Sequence, residues 1–494
     1  MTDRNAVTSG TALPDRESLQ RFRRVTVMGL GRFGGGAGAA RYFSGLGAEV
    51  TVTDLDGPEK LAASLASLKG LGLKFVLGRH RREDFLQADL VIANQAVRPE
   101  NDFLRAAREA GVPVATETGL ALGLNRSPWA AVTGSAGKST ASALLAAMLR
   151  AGDPDTLFGG NIGGDLLTRV EGRPESSPLV VELSSYQLTH LAADFSAGRI
   201  LPPRAAAVTN ITPNHLDWHR DMEEYAQSKL NLLRFLPPSG QAAVNVEDAR
   251  LRDLAEHWPG GGPRLIRCGL ADPGGPDAGF AENGRLVLRL AGRMVFSLPL
   301  AAYRPPGRHN ALNAVLAAAA AFAVHPDSKA VASGLAAFPG LPHRLERIGE
   351  FGGRIFVNDS KATTPEAAIL ALDAIPGVKT LVAGGYDKQS PFDALGAAIQ
   401  KHAAGIALLG KAGPRLREAV LAAAKQRPPA MGILALSEAG DDFALAVREA
   451  FRLAPPGGTV LLSPACASWG MFANYEERGL AFRKAAESLG NGPC

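Results

Sequence analysis

Cysteine and aromatic residues are scarce in this chain of 494 residues. The three cysteines, Cys268, Cys466 and Cys494, lie far apart, are odd in number and form no Cys-x-x-Cys pair. This distribution argues against a disulfide framework or a zinc site and fits a reducing cytoplasm. Only 6% of the residues are aromatic, whereas 46% are hydrophobic and Ala and Gly abound, so we expect tightly packed α/β layers.

Long hydrophobic runs are also missing. The longest, at 311–324, is Ala-rich and too short to cross a bilayer, so it predicts a buried helix. The first 20 residues are polar and lack the apolar segment of a secretory signal. We therefore expect a cytoplasmic protein without a membrane span.

The charge pattern does not favour nucleic acid as a partner. The net charge is +5, but Lys and Arg are dispersed among acidic residues, and no basic stripe carries interleaved aromatics. An anionic small-molecule substrate accounts for the mild positive excess equally well. A monomer is expected.

Apolar strands alternate with helical stretches through most of the chain, which predicts an α/β fold with parallel sheets. The predicted strands lie at 24–28, 49–53, 88–93, 112–115, 129–133, 179–183, 205–210, 354–357, 379–383, 405–409 and 459–462. A small β insertion is predicted within 259–305, which is rich in Gly and Pro. We place domains at 21–125, 126–341 and 342–494, preceded by a loose extension at 1–20.

The most specific motif is a phosphate-binding loop between a predicted strand and a predicted helix. It consists of Gly134, Ser135, Ala136, Gly137, Lys138, Ser139 and Thr140. The glycines let backbone N–H groups point at phosphate oxygens, Lys138 supplies a positive charge, and Ser139 or Thr140 supplies a hydroxyl for Mg²⁺. Two residues rather than the usual four separate the glycines, so an ordinary Gly turn is the alternative. The strand–loop–helix context favours ATP binding.

Other polar residues follow neighbouring strands of this segment. Glu182 ends a strand and is placed to hold a metal ion, with a solvated helix-cap residue as the alternative. His215 lies in a polar loop and is either a second metal ligand or structural. Lys229 falls in a helical stretch and, taken alone, is interpreted as a solvated surface residue.

The two terminal segments carry their own candidate sites. Gly29-x-Gly31-x-x-Gly34, after the first strand, taken alone suggests a dinucleotide site, with Asp54 ending the second strand. In the C-terminal segment, polar loops at 358–363, 384–388 and 463–468 each follow a strand. All three lie at the carboxyl edge of the predicted sheet, where open α/β sheets bind ligands.

Taken in order, the motifs resemble those of the Mur ligase family over nearly the whole chain. The resemblance depends on eight motifs, at 133–140, 159–163, 182–185, 215–217, 308–310, 341–346, 358–363 and 462–468. Singly some of these are weak, but eight in the family's order are very specific. The resemblance implies three domains: an N-terminal Rossmann-like UDP-binding domain, a central phosphate-loop ATPase domain with a parallel sheet, and a C-terminal Rossmann-like domain.

The resemblance also implies residue roles. Lys138 and Ser139 would bind ATP phosphates and Mg²⁺, and two Mg²⁺ ions would be held by Ser139, Glu182, His215 and a carbamylated Lys229. That role overturns the surface interpretation of Lys229, because a carbamate makes the lysine a carboxylate-like ligand. The remaining ATP contacts would be Asn310, Asn313, Arg344 and Asp359.

Substrate contacts follow in the same way. Gly31, Arg32, Phe33 and Asp54 would hold the uridine and its phosphates, and Asn161 and Gln187 the UDP-sugar, so a UDP cradle replaces the dinucleotide interpretation. The amino-acid substrate would be surrounded by Lys361, Thr363, Lys388, Ser468 and Tyr475.

The implied reaction is ATP-dependent addition of D-glutamate to UDP-N-acetylmuramoyl-L-alanine through an acyl phosphate, in peptidoglycan precursor synthesis. Asn358-Asp359-Ser360-Lys361-Ala362-Thr363 stands where lysine- and diaminopimelate-adding members carry Asp-Asn-Pro, which favours D-glutamate. Another Mur or folylpolyglutamate-type ligase and an inactive nucleotide-binding paralogue are the alternatives.

Three stretches depart from the family pattern. Asn94-Gln95-Ala96 replaces a frequent Ser-Pro-Gly in the loop that faces the UDP-sugar. Tyr386-Asp387-Lys388 replaces a more usual Asp-x-Lys, and Trp469 follows Ser468 where leucine is common. The last two bear on amino-acid specificity.

Overall fold

Strands and helices alternate along the chain in a computed structural model that describes residues 13–31, 34–426 and 434–490. The strands form three sheets. The described residues of 1–303 and 312–338 make one compact unit, and those of 304–311 and 339–494 make a second. No helix in the described ranges has the length and apolar character that crossing a membrane requires.

The N-terminal sheet contains five parallel strands in the order β3-β2-β1-β4-β5. The strands are β1 (Arg24–Met28), β2 (Glu49–Asp54), β3 (Lys74–Leu77), β4 (Leu90–Ala93) and β5 (Val114–Ala115). The helices are α1 (Arg16–Gln20), α2 (Gly35–Gly45), α3 (Ala62–Ala66), α4 (Arg82–Leu86), α5 (Asp102–Glu109) and α6 (Glu117–Leu124). In α1, Asp15 caps the helix and Leu19 is fully buried, so the prediction of a loose extension is wrong for residues 15–20.

The central sheet has nine strands in the order β14-β13-β12-β11-β10-β9-β6-β8-β7. They are β6 (Trp129–Thr133), β7 (Leu157–Gly160), β8 (Leu179–Glu182), β9 (Ala205–Val208), β10 (Gln241–Asn245), β11 (Arg264–Gly269), β12 (Ala278–Glu282), β13 (Arg285–Leu290) and β14 (Arg293–Pro299). The helices of this segment are α7 (Lys138–Gly152), α8 (Leu167–Val170), α9 (Ser185–Ser196), α10 (Met222–Arg234), α11 (Ala249–Glu256), α12 (Arg308–Val324) and α13 (Ser328–Ala337), with a 3-10 turn at Leu300–Ala302.

The strands within 259–305 are not a separate insertion but the continuation of this central sheet. β11 pairs with β10 and β12 with β11, both in parallel, and β13 and β14 then add as antiparallel strands. β6, β8, β9 and β10 are buried along their full length, because parallel strands covered on both faces carry apolar residues throughout. One hydrophobic cluster includes Val25 and Val27 of the N-terminal sheet and Trp129 and Ala131 of the central sheet.

The second unit contains a six-stranded sheet in the order β15-β16-β20-β17-β18-β19. Its strands are β15 (Glu346–Phe351), β16 (Arg354–Asn358), β17 (Lys379–Gly384), β18 (Ala403–Leu409), β19 (Ala435–Glu438) and β20 (Thr459–Leu462). Its helices are α14 (Pro365–Ala374), α15 (Asp393–His402), α16 (Gly413–Gln426), α17 (Phe443–Leu453) and α18 (Tyr475–Gly490). Only β15 is antiparallel to its neighbour. Leu381 and Val382 belong to different hydrophobic clusters, so both faces of the sheet are covered.

Candidate active site

The phosphate-binding loop lies between β6 and α7, as its sequence predicts. Gly134 and Gly137 have φ values of 146° and 81°, which side-chain-bearing residues rarely adopt. A Cβ on Gly134 would collide with the Thr209 hydroxyl, and one on Gly137 would lie 2.7 Å from Asn313 Oδ1. Both glycines are therefore required by close packing as well as by backbone conformation.

A second loop, after β9, holds the phosphate loop in shape. Asn210 Oδ1 accepts a hydrogen bond from Ala136 N at 2.9 Å, and Asn210 Nδ2 donates to Ala136 O at 3.0 Å. Ser135 Oγ donates to Thr212 O at 2.9 Å and lies 2.8 Å from Tyr225 Oη. The phosphate loop and the segment around His215 thus form one connected structure.

Two lysine amines meet at the carbonyl oxygen of Gly134. Lys138 Nζ lies 3.0 Å from that oxygen, and Lys229 Nζ, reaching from α10, lies 2.8 Å from it. Lys229 is 1% exposed, which contradicts its interpretation as a solvated helix residue. Burial and the charge of Lys138 lower the pKa of Lys229 to about 6, against an opposing effect of Glu182. This lowered pKa favours the neutral amine of Lys229 far more than in a solvated lysine.

Glu182 ends β8 beside this loop and is also 1% exposed. Its carboxylate accepts hydrogen bonds from Asn161 Nδ2 at 2.9 Å and from Ser142 Oγ at 3.4 Å. Both donors are uncharged, and a buried carboxylate in such surroundings favours a bound cation. Asn161, predicted to touch the UDP-sugar, is thus placed to orient Glu182 as well.

His215 has an unusual backbone conformation, with φ at 55°. Its Nδ1 lies 2.7 Å from Tyr186 Oη. Burial, together with the charges of Lys138 and Lys229, lowers the pKa of His215, with Asp217 opposing. A neutral imidazole is the form that binds metals.

The predicted metal ligands do not form a conventional protein cluster. In the described part of the chain, no three His, Cys, Asp or Glu side chains come together as a metal site. Only two of the predicted ligands, Glu182 and His215, belong to those residue types. The set otherwise depends on the Ser139 hydroxyl and on a modified Lys229.

The predicted ATP contacts are divided between the two units. Asn313 belongs to the first unit and approaches Gly137. Asn310 belongs to the second unit, where its Nδ2 donates to Pro306 O at 2.7 Å.

Two further predicted ATP contacts come together in the second unit. Burial raises the pKa of Asp359 to about 7, with Ser463, the Leu345 backbone and the Arg344 charge all opposing. Arg344 Nε is buried and lacks a hydrogen-bond partner among the described residues. An acceptor from a bound ligand would satisfy it.

A cavity of about 230 Å³ lies where the N-terminal and central sheets meet in the first unit. Its lining includes Gly31, Asn94, Asn161 and Tyr186. Asp54 accepts a hydrogen bond from Gly31 N at 3.1 Å, so these two predicted UDP contacts are adjacent. The predicted contacts Arg32 and Phe33 lie outside the described residues.

Gln187 is buried beside this cavity. It completes a capping box with Ser184 at the start of α9, and its Nε2 donates to Thr118 Oγ1 at 3.0 Å. Thr118 also lines the cavity. A contact of Gln187 with a substrate stays a prediction.

The predicted amino-acid contacts form two pairs in the second unit. Lys361 Nζ lies 4.8 Å from the centre of the Tyr475 ring, and Lys388 Nζ lies 4.5 Å from that of Trp469. Trp469 is 55% exposed and packs edge-on against Tyr386. The loops that carry Thr363 and Ser468 flank these pairs. A cation held on an aromatic face is suited to a carboxylate ligand.

Sequence reasoning missed Arg478, which joins those two loops. This side chain is 1% exposed and donates to Ser360 O at 2.7 Å, Ser360 Oγ at 3.0 Å and Cys466 O at 3.0 Å. Burial lowers the pKa of Arg478 to about 10. In the sequence it is one arginine among many on a helix, and only the loop contacts reveal its role.

Comparisons with known proteins show which family this chain resembles. Residues 132–321 match the Mur ligase middle domain, and residues 343–466 match the Mur ligase, glutamate ligase domain. A relative from Roseiflexus sp. (strain RS-1), named UDP-N-acetylmuramoylalanine–D-glutamate ligase, is 40% identical over 475 residues, covering 94% of this chain and 99% of the relative. This chain belongs to the Mur ligase family.

A second Mur ligase, of the same name and from Symbiobacterium thermophilum, is 36% identical over 467 residues, covering 94% of this chain and 98% of the relative. The crystal structure of UDP-N-acetylmuramate-alanine ligase from Thermotoga maritima aligns with a TM-score of 0.57 at 18% identity, covering 94% of this chain and 99% of that one. That likeness concerns the fold alone. The predicted family and α/β architecture are confirmed.

Proposed function

We propose that this Mur ligase joins D-glutamate to UDP-N-acetylmuramoyl-L-alanine in an ATP-dependent reaction, releasing ADP and phosphate. The observation that carries the proposal is the phosphate loop on which Lys138 and Lys229 converge. The whole chain also supports the proposal, because it is 40% identical to a D-glutamate ligase over 99% of that ligase's length. Two buried free thiols, Cys268 and Cys466, support a reducing compartment such as the cytoplasm.

The reaction consists of two displacements. The substrate carboxylate attacks the γ-phosphorus of ATP, ADP leaves, and an acyl phosphate forms. The amine of D-glutamate then attacks the acyl carbon, and the tetrahedral intermediate expels phosphate. Lys138 supplies positive charge where negative charge builds up on the phosphoryl oxygens, while the α7 N-terminus and the loop amides hold the phosphates.

Two Mg²⁺ ions fit the residues around this loop. Ser139, Glu182, His215 and a carbamylated Lys229 would hold them. All of these except the His215 imidazole would offer the oxygen ligands that Mg²⁺ prefers. When bound, the ions neutralise the phosphoryl oxygens. Carbamylation fits Lys229 because its amine is buried and its lowered pKa favours the neutral form that reacts with CO₂. In that step Nζ bonds to the carbon of CO₂, and a proton leaves to solvent.

The two substrates would bind residues of different units. The cavity beside Gly31 and Asn161 would receive the UDP-sugar, and the Lys361 and Lys388 pairs would receive the two carboxylates of D-glutamate. We keep the domain boundaries at 21–125, 126–341 and 342–494 as part of this proposal, although the described residues of the first segment and most of those of the second lie in one compact unit.

Phosphate release tests the proposal directly. The purified chain is given ATP, Mg²⁺ and UDP-N-acetylmuramoyl-L-alanine, with D-glutamate, L-lysine or diaminopimelate in parallel reactions. We expect release with D-glutamate. Release only with another amino acid would refute the specificity and keep the ligase class, whereas no release with any of them would refute the ligase itself.

The carbamate has its own test. In ¹³C-labelled bicarbonate the protein should show a carbamate carbon resonance that is absent from Lys229→Arg. Lys229→Arg keeps a long basic side chain but cannot form the carbamate. The same resonance in both proteins would refute the modification of Lys229.

A further inference from the structure

Trp218 of the central segment contacts a loop of the N-terminal segment, residues 94–101. Trp218 Nε1 donates a hydrogen bond to Ala96 O at 2.8 Å. The guanidinium carbon of Arg98 lies 5.6 Å from the centre of the Trp218 ring. Asn94 and Ala96 of the same loop line the cavity proposed for the UDP-sugar. A ligand in that cavity would therefore contact Ala96, whose carbonyl accepts the hydrogen bond from Trp218.

Trp218 also packs against Tyr186, which is hydrogen-bonded to His215. The Trp218 ring packs on the Tyr186 ring with centres 4.6 Å apart. Tyr186 Oη lies 2.7 Å from His215 Nδ1, and this hydrogen bond fixes the plane of the imidazole. Because the His215 backbone has a φ of 55°, the side chain starts from a constrained position. Three contacts thus connect the cavity loop to the imidazole.

Helix α9 supports both ends of this connection. Ser185 Oγ, in its first turn, lies 3.0 Å from His219 Nε2, next to Trp218 in sequence. His190 Nε2, one turn further along, lies 2.9 Å from Val97 O in the cavity loop. The loop and the His215 segment are therefore anchored on one helix, so a shift of either one strains contacts to the other.

We propose that Trp218 and Tyr186 are positioning residues that transmit occupancy of the UDP-sugar cavity to His215. The connection orders the imidazole when the cavity is filled, before the carboxylate of the UDP-sugar substrate is phosphorylated. The ligand's identity rests on the proposed function, but the connection itself depends only on contacts within the first unit.

A binding experiment without turnover tests the connection. The chain has nine histidines, and the His215 ring signal is assigned in ¹⁵N-histidine-labelled protein by its loss in His215→Gln. UDP-N-acetylmuramoyl-L-alanine is added without ATP or metal ions. We expect the His215 Nδ1 resonance to shift in the wild type. Because Tyr186 also lines the cavity, the shift should be reduced, not abolished, in Trp218→Phe, which keeps an aromatic ring but removes the N–H donor.

Trp258→Phe is the matched control. Trp258 is half-buried like Trp218, and its Nε1 likewise donates to a backbone carbonyl, Pro263 O, at 2.9 Å. This variant should keep the full resonance shift. An unchanged shift in Trp218→Phe, a lost shift in Trp258→Phe, or no shift in the wild type would each overturn the connection.

Steady-state kinetics give an independent test. Tyr186→Phe and Trp218→Phe should each lower kcat by about threefold to tenfold, the range for one hydrogen bond. The kcat of the double variant should be no lower than that of the less active single variant, because both changes break the same connection. A double variant whose kcat is lowered by the product of the two single-variant factors would refute the connection. Wild-type protein that shifts the His215 resonance yet releases no phosphate would instead refute the proposed function.

Discussion

Deprotonation of the buried Asp359 should make the second unit lose stability as the pH rises. Its carboxyl accepts hydrogen bonds from Ser463 Oγ at 2.9 Å and Leu345 N at 3.2 Å and is 7% exposed. Burial raises its pKa from 3.8 to about 7, so the folded state binds the proton more tightly than the unfolded state. The free energy of unfolding therefore falls between pH 4 and pH 7, by about 1.4 kcal/mol per pH unit. From pH 5 to pH 8 the loss is about 2–3 kcal/mol.

Asp359→Asn should remove this dependence. The amide keeps an acceptor for Leu345 N, and its NH₂ group can donate to the Ser463 hydroxyl, which then reverses its role. Hydrogen exchange of peptides covering β16 and β20, read by mass spectrometry from pH 5 to pH 8, gives the local unfolding free energy. The stability of the variant relative to the wild type should rise with pH.

Asp387→Asn is the matched control in the same unit. Although burial opposes it, hydrogen bonds from Arg415 and Gln389 hold the pKa of Asp387 below its ordinary value. The stability of Asp387→Asn relative to the wild type should not rise with pH. A constant difference between wild type and Asp359→Asn from pH 5 to pH 8 would show that Asp359 is not a buried, high-pKa acid.

Three further outcomes are expected. Lys138→Ala should slow phosphate release by about a hundredfold or more, because one preorganised charge at the phosphoryl group is removed, while calorimetric binding of the UDP-sugar stays unchanged. Trp469→Leu should raise the KM for D-glutamate by about twofold to fivefold without changing that for ATP, since Lys388 loses the aromatic face that holds it; equal KM values in both proteins would contradict this. Gly134→Ala should lower the unfolding free energy by about 2 kcal/mol or more in thermal unfolding, because its Cβ meets the Thr209 hydroxyl at a φ of 146°.

The sequence is most informative where structure is locally determined. β6 occupies 129–133 as predicted, because an apolar run there lies between Pro128 and the glycine of the phosphate loop. Strands β7, β10 and β19 were not predicted, because glycine in β7, alanine in β10 and polar residues in β19 take the place of the β-branched and large apolar residues that mark strands such as β8 and β20. The partners of β11–β14 depend on pairing across the sheet, which no local pattern contains.

The candidate site likewise contains residues that a local pattern predicts and residues that only the fold brings together. The phosphate loop follows from its own residues, whereas the burial of Lys229 depends on contacts from β6 and α10 that only the fold creates. Trp218 and Tyr186 gave no signal beyond a local density of aromatic residues around His215. Their role depends on Ala96, more than a hundred residues away in the chain.

Arg478 gives the proposed amino-acid site a modular construction. One buried guanidinium fastens the bases of the two loops that begin at Asn358 and Ser463, and it does so through backbone carbonyls and a serine hydroxyl. The exposed aromatic residues Trp469, which follows one of these loops, and Tyr386, in the 384–388 loop, take no part in these hydrogen bonds. If the proposed amino-acid site is right, an engineer seeking a ligase of new specificity would vary Tyr386 and Trp469 and leave Arg478 alone, because the two loops then keep their relative spacing.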